Sequence, residues 1–173
     1  EERDDQVIAH LEDGSAEEAD LLVGADGVWS ATRAQLIPEV QPLVDDQIAW
    51  RAVVPAANFR TGEQAVVIGR NGTRGGWLHT GSGLIYWAVG QLGAEVEPSA
   101  DIKREVLSLL DDIHDGEWDF PMQAFVEATP TEEILRGQVF SVPALNTWVS
   151  GRVALAGDAD VEVAVGAKDH AVD

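Results

Sequence analysis

An α+β fold is predicted for this chain of 173 residues. Three observations point to it. A central run from Gln47 to Gln91 is rich in β-branched and aromatic residues and is punctuated by Gly and Asn. Apolar residues recur at helical spacing after Ser99, and short apolar runs near both ends read as strands. The order (strand, turn, strand, helix, sheet, helices, strand) predicts a mostly antiparallel sheet with flanking helices, set inside part of an α/β domain.

Each element has its own signal. Val7 to Leu11 and Asp20 to Val23 are short apolar stretches separated by Asp13-Gly14, which predicts a β-hairpin. Ser30 is placed to cap a brief helix from Ala31 to Leu36 that stops before Pro38. IAWRAVV, QAVVIG, GWLHT and LIYWAVGQ predict three or four antiparallel strands, and Trp50, Trp77, Trp87 and Trp29 give them a broad apolar face that must be covered or hold a ligand. Ile102, Val106, Leu109, Leu110 and Ile113 share one face of a helix that Ser99 would cap, and Pro121 to Ala128 forms a second helix. GQVFSV and RVALAG close the chain as strands, the latter apolar enough to be buried on both sides.

Composition excludes several classes of function. With no cysteine there is no disulfide, thiolate nucleophile or cysteine metal site, and the four histidines have no metal-ligand spacing. No apolar run reaches the roughly 18 residues of a membrane span, and EERDDQ is unlike a signal peptide, so a cytoplasmic protein is expected. A formal charge of −20 repels nucleic acid and anionic membranes. Lys103 and Lys168 are the only lysines, and an acidic, lysine-poor surface suits a halophile's high-salt interior.

Two segments carry chemistry. In DLLVGADGVWSATR, Asp20 to Arg33, a strand delivers Gly24 and Gly27 around Asp26, where backbone can approach a ligand closely. In GRVALAGDA, Gly151 to Ala159, an apolar strand ends in Gly157-Asp158, a carboxylate suited to accepting hydrogen bonds from hydroxyls of a sugar-like chain. Either alone also reads as a structural turn.

Taken in this order around a tryptophan-rich sheet, the two segments resemble the class A FAD-dependent aromatic-ring monooxygenases. WRAVVP, Trp50 to Pro55, and SVPALNTW resemble the salicylate-hydroxylase branch. The resemblance implies FAD and NAD(P)H as cofactors, with Asp26 and Gly27 near the flavin diphosphate and the NAD(P)H path. Arg33 would support that region, and Gly157 and Asp158 would meet the ribityl chain. It further implies that residues 1–46 and 143–173 are parts of an FAD-binding domain, the first holding the hairpin, the GADG motif and the short helix. Residues 47–142 would be a substrate-binding sheet domain with helices. One wall of a pocket for a small aromatic or apolar substrate would then carry Arg51, Trp77, His79, Tyr86 and Trp87, and a homodimer is a further expected partner state. The reaction implied is hydroxylation with NAD(P)H and oxygen, in which the cofactors carry the redox chemistry and the protein binds and orients.

The chain also departs from that pattern. It has no GxGxxG turn with the spacing of the family's N-terminal unit, and the glycines at 69, 72, 75 and 76 fall between β-like segments. Without that unit, tight FAD binding and activity by this chain alone are not expected. After Ala159, Asp160 and Glu162 bring negative charge to a segment where the family places a glycine-rich turn, with Gly166 as its remnant and Lys168 as a compensating cation. Two other readings stand beside the hydroxylase: a flavin-dependent reductase of unsaturated lipids, and a non-catalytic module that binds a ligand or partner through the tryptophan face.

Overall fold

The computed structural model describes residues 1–62, 64–69, 72–92, 99–113, 121–159 and 164–166. Asp160, Glu162 and Lys168, and the side chain of Ile113, lie outside the described residues, and of Gly166 only its place in a strand is described. The chain divides into two compact units, Glu1–Asp45 with Phe140–Gly166, and Asp46–Val139.

In the first unit, β1 (Val7–His10) and β2 (Ala16–Ala19) form an antiparallel hairpin, with Val7 opposite Ala19 and His10 opposite Ala16. Asp13 shapes its turn by accepting from the Ser15 amide at 2.9 Å, and Gly14 supplies the left-handed backbone, φ 84°. The second arm is therefore AEEA and not Asp20 to Val23. All four residues of β2 are exposed, so no apolar alternation marks it. Leu22–Gly24 instead forms β3, which runs into the helix α1 (Ala31–Leu36). Ser30 caps α1, its hydroxyl accepting from the Arg33 amide at 2.8 Å.

The second unit holds four strands of the predicted sheet in β4 (Leu43–Pro55), β5 (Gln64–Ile68), β6 (Arg74–His79) and β7 (Leu84–Leu92). Gly75 and Gly76 belong to β6 and not to a loop. The helices α2 (Ile102–Ile113) and α3 (Met122–Ala128) come next, then β8 (Leu135–Ser141). Asp101, not Ser99, caps α2: its carboxylate accepts from the Arg104 amide at 3.1 Å, while Ser99 receives the amide of Asp101. Two short strands, β9 (Val149–Ser150) and β10 (Val153–Leu155), and finally β11 (Ala164–Gly166) complete the chain. The large sheet has the order β11-β8-β4-β7-β6-β5.

One face of this sheet is core. Ile48, Trp50, Ala52 and Val54 of β4 and Ile85, Trp87 and Val89 of β7 pack with Val106, Leu109 and Leu110 of α2 and Met122, Phe125 and Val126 of α3. Each valine, leucine, isoleucine, phenylalanine or methionine among them contributes about 1.5–3 kcal/mol when fully buried. The face that carries Trp50, Trp77 and Trp87 is thus packed against the chain's own helices, whereas Trp29, expected on the same face, lies in the first unit, exposed and edge-on to Phe140 at 5.0 Å. Arg136 of β8 joins the packed face as a polar member, 3.4 Å from the Glu105 carboxylate and stacked over Trp50 at 5.6 Å.

Candidate functional site

In the first unit, β3 pairs in parallel with β10: Leu22 faces Val153, Val23 faces Ala154 and Gly24 faces Leu155. The amide of Ala156 continues the ladder to the Gly24 carbonyl at 3.0 Å. Adjacent parallel strands end on the same edge of a sheet, so the turn after Gly24 and the turn after Leu155 emerge side by side, where open α/β sheets receive ligands. Segments from opposite ends of the sequence thereby form one site.

The first turn is bound up in itself. Asp26 accepts from the Ser30 hydroxyl at 2.5 Å through one oxygen, and from the Thr32 amide at 3.0 Å and hydroxyl at 3.1 Å through the other. Burial works to raise the Asp26 pKa, but these hydrogen bonds to the ionised form outweigh it and hold the carboxyl below its ordinary value. Gly27 takes the left-handed conformation, φ 81°, and a Cβ on Gly24 would stand 2.7 Å from the Thr32 side chain, so α1 sits directly on the end of β3.

The second turn is open. Gly157–Ala159 make a single 3-10 turn after β10, Gly157 has φ 61°, and no atom of the other described residues lies within 4 Å of where its Cβ would be. Asp158 is exposed and makes no hydrogen bond with the described residues, whereas Ala159 beside it is fully buried. Arg33 connects the two turns. Its side chain is 2% exposed, Nη1 donates to the Ala159 carbonyl at 3.0 Å, and Nη2 donates to the Val28 carbonyl. Burial lowers the Arg33 pKa and the charge of Asp26 partly restores it.

In the second unit the pairing register sorts the expected substrate residues onto two faces. Arg51 lies opposite Ala88, Val53 opposite Tyr86, Leu78 opposite Tyr86, Gly76 opposite Ala88 and Arg74 opposite Gly90. Arg51 and Tyr86 thus share the face away from the helices. Around them are Val53, Leu78, Val66 and Ile68, which remain exposed, and Arg74, which sequence reading did not single out. Trp77, His79 and Trp87 alternate onto the other face. Trp87 is fully buried and its Nε1 donates to the Thr129 hydroxyl at 3.0 Å, which corrects its expected place on a pocket wall: it has no surface to offer a ligand. Trp77 packs edge-on against Phe125 and donates to the Gly62 carbonyl, and His79 Nε2 meets the Thr61 hydroxyl at 3.0 Å. The opposite directions of neighbouring residues 86 and 87 were a signal available in the sequence, since both lie in one strand.

No family model matches the chain. It is 32% identical over 158 residues to aurachin C monooxygenase/isomerase of Stigmatella aurantiaca, covering 90% of this chain and 39% of that protein. It is 27% identical over 168 residues to 6-hydroxynicotinate 3-monooxygenase of Pseudomonas fluorescens, covering 92% of this chain and 42% of that protein. The structure of Klebsiella pneumoniae HpxO complexed with FAD and uric acid superposes with a TM-score of 0.73 at 26% identity, over 94% of this chain and 41% of that one. The chain is related to FAD-dependent monooxygenases. A salicylate hydroxylase substrate complex superposes with a TM-score of 0.61 at 20% identity, which shows the shared fold alone. The chain spans about two fifths of the length of these monooxygenases. Among the described residues, no helix is long and apolar enough to cross a membrane and no group of three or more His, Asp or Glu is placed to hold a metal.

Proposed function

We propose that this chain supplies two parts of an FAD-dependent monooxygenase: the turns that receive the middle of the flavin cofactor, and a sheet face that seats a small aromatic substrate. The observation that carries this reading is the parallel pairing of β3 with β10, which gathers GADG and GD at one strand edge in a chain similar to an FAD-bound structure. When bound, FAD supplies the redox chemistry of oxygen insertion, with NAD(P)H as the source of electrons. The residues present suit part of such a cofactor. Asp158 offers an exposed acceptor beside a glycine with open space around it, as the hydroxyls of a ribityl chain require, and the bound-up Asp26 turn keeps Gly27 in place for close backbone approach.

The open sheet face favours an aromatic, polar or anionic substrate over a long lipid. Its centre is floored by Ala49, Ala88, Gly76 and Gly90, with Arg51, Arg74 and the Tyr86 phenol at the margins. Residues 47 to 92 contain four arginines and one acidic residue in a chain of net charge −20, so an anion approaching the protein is drawn to this stretch. The test is NAD(P)H oxidation by the flavin-loaded protein that carries this chain, screened with small aromatic acids and with apolar lipids under labelled oxygen. Substrate-stimulated oxidation with one labelled atom in an aromatic product is expected. Lipid reduction, or no stimulation by any aromatic compound, would overturn the reading.

A further inference from the structure

We infer that Arg33 is a positioning residue that sets where Asp158 stands, without itself touching the cofactor; this rests on the flavin reading of the two turns. Three features lead there. Arg33 is 2% exposed, so it presents no surface to a ligand, yet it is the direct side-chain tie between the two turns. Both of its acceptors are neutral backbone carbonyls, those of Val28 and Ala159, so the tie fixes backbone and not a side-chain partner. Its charge is balanced by Asp26 without a direct ion pair, and its Nε finds no acceptor among the described residues.

A buried cation with neutral partners and one unmet donor is costly if stability alone is considered. What it provides is geometry. The planar guanidinium reaches two carbonyls on separate segments from two nitrogens held apart in a rigid plane, a geometry that the single nitrogen of a lysine does not reproduce. α1 has only six residues, too few to hold a fixed orientation by its own hydrogen bonds, so its place comes from the Ser30 cap, the contact with Gly24 and this fork. The Ala159 carbonyl held by Nη1 ends the 3-10 turn whose middle residue is Asp158. The carboxylate that faces solvent is aimed by a residue buried behind it.

Two readouts on the protein that carries this chain test this: amide hydrogen exchange resolved to the segment around residues 157–159, and titration of its flavin-free form with FAD. In Arg33→Lys, which keeps the charge but loses the fork, exchange in that turn should rise about tenfold, the scale of one lost hydrogen bond, while β3, β10 and the strands of the large sheet keep their protection. FAD affinity should fall by a similar factor in Arg33→Lys and in Asp158→Ala, and the double variant should lose little more than either alone. Faster exchange spread evenly over β3 and β10, or losses that add fully in the double variant, would overturn the positioning role. If Arg33→Lys fails to fold, Arg33→Ala is examined with and without added methylguanidinium, and failure of the added ion to restore protection at the turn counts against the inference. Absence of FAD binding by the unaltered protein that carries this chain would count against the flavin reading, while the exchange pattern still decides the tie.

Discussion

The turn after β3 and the turn after β10 leave neighbouring parallel strands at the same edge, and each carries an aspartate beside a glycine of positive φ. Asp26 has both oxygens engaged by Ser30 and Thr32, whereas Asp158 has neither engaged by a described residue. Two motifs, Asp-Gly after one strand and Gly-Asp after the other, thus differ in what holds their carboxylates. The first is scaffold, its carboxylate used up in fastening α1. The second meets no donor among the described residues. Among the described residues the side-chain and amide bonds that engage Asp26 from other residues come from Ser30 and Thr32, both within six residues along the chain.

The division can be broken most forcefully at Gly24. Gly24→Ala drives a methyl to within contact-violating distance of Thr32 and should destabilise the first unit by about 1–3 kcal/mol in denaturant unfolding, the range for overpacking a tight site. Ser30→Ala removes the cap of α1 and one donor to Asp26, with an expected loss of about 1 kcal/mol by the same measurement. Asp26→Asn sharpens the comparison through pH. Because the folded pKa of Asp26 lies below its unfolded value of about 4, its ionised form stabilises the fold above that pH, and this contribution is lost as pH falls through the folded pKa. The stability gap between the wild type and Asp26→Asn should therefore be full near neutrality and close in acid below about pH 4. A gap that does not change over this range would remove Asp26 from its scaffold role. The smallest expected change in stability is for Asp158→Ala, within about 0.5 kcal/mol as at other exposed positions, although its effect on FAD titration should exceed that of Asp26→Asn.

Much of this arrangement was legible in the sequence. The alternation and β-branched content of residues 48–54 and 84–91 marked β4 and β7, helical spacing marked α2, and Ser30 marked the start of α1. What escaped had physical causes. β2 is polar or small at every position, so it carries no periodic signal, and β9 is only two residues long. The cap of α2 was assigned two residues too early because Ser99 and Asp101 are both good caps and only the amide geometry distinguishes them. The closing of Asp26 on Thr32 depends on how α1 folds back over Gly24, which no local pattern expresses. Arg74 became visible as a member of the open face only once register set it opposite Gly90.

The pairing of β3 with β10 also joins segments that are made far apart in time. Gly24 leaves the ribosome long before Leu155, and everything that forms β4 to β8 of the large sheet is synthesised between them. Until then β3 has no described strand to pair with, and closing so long a loop carries an entropy cost that local structure does not repay. Forming the edge that gathers the two turns therefore carries a larger loop-closure cost than forming the local hairpins of the second unit.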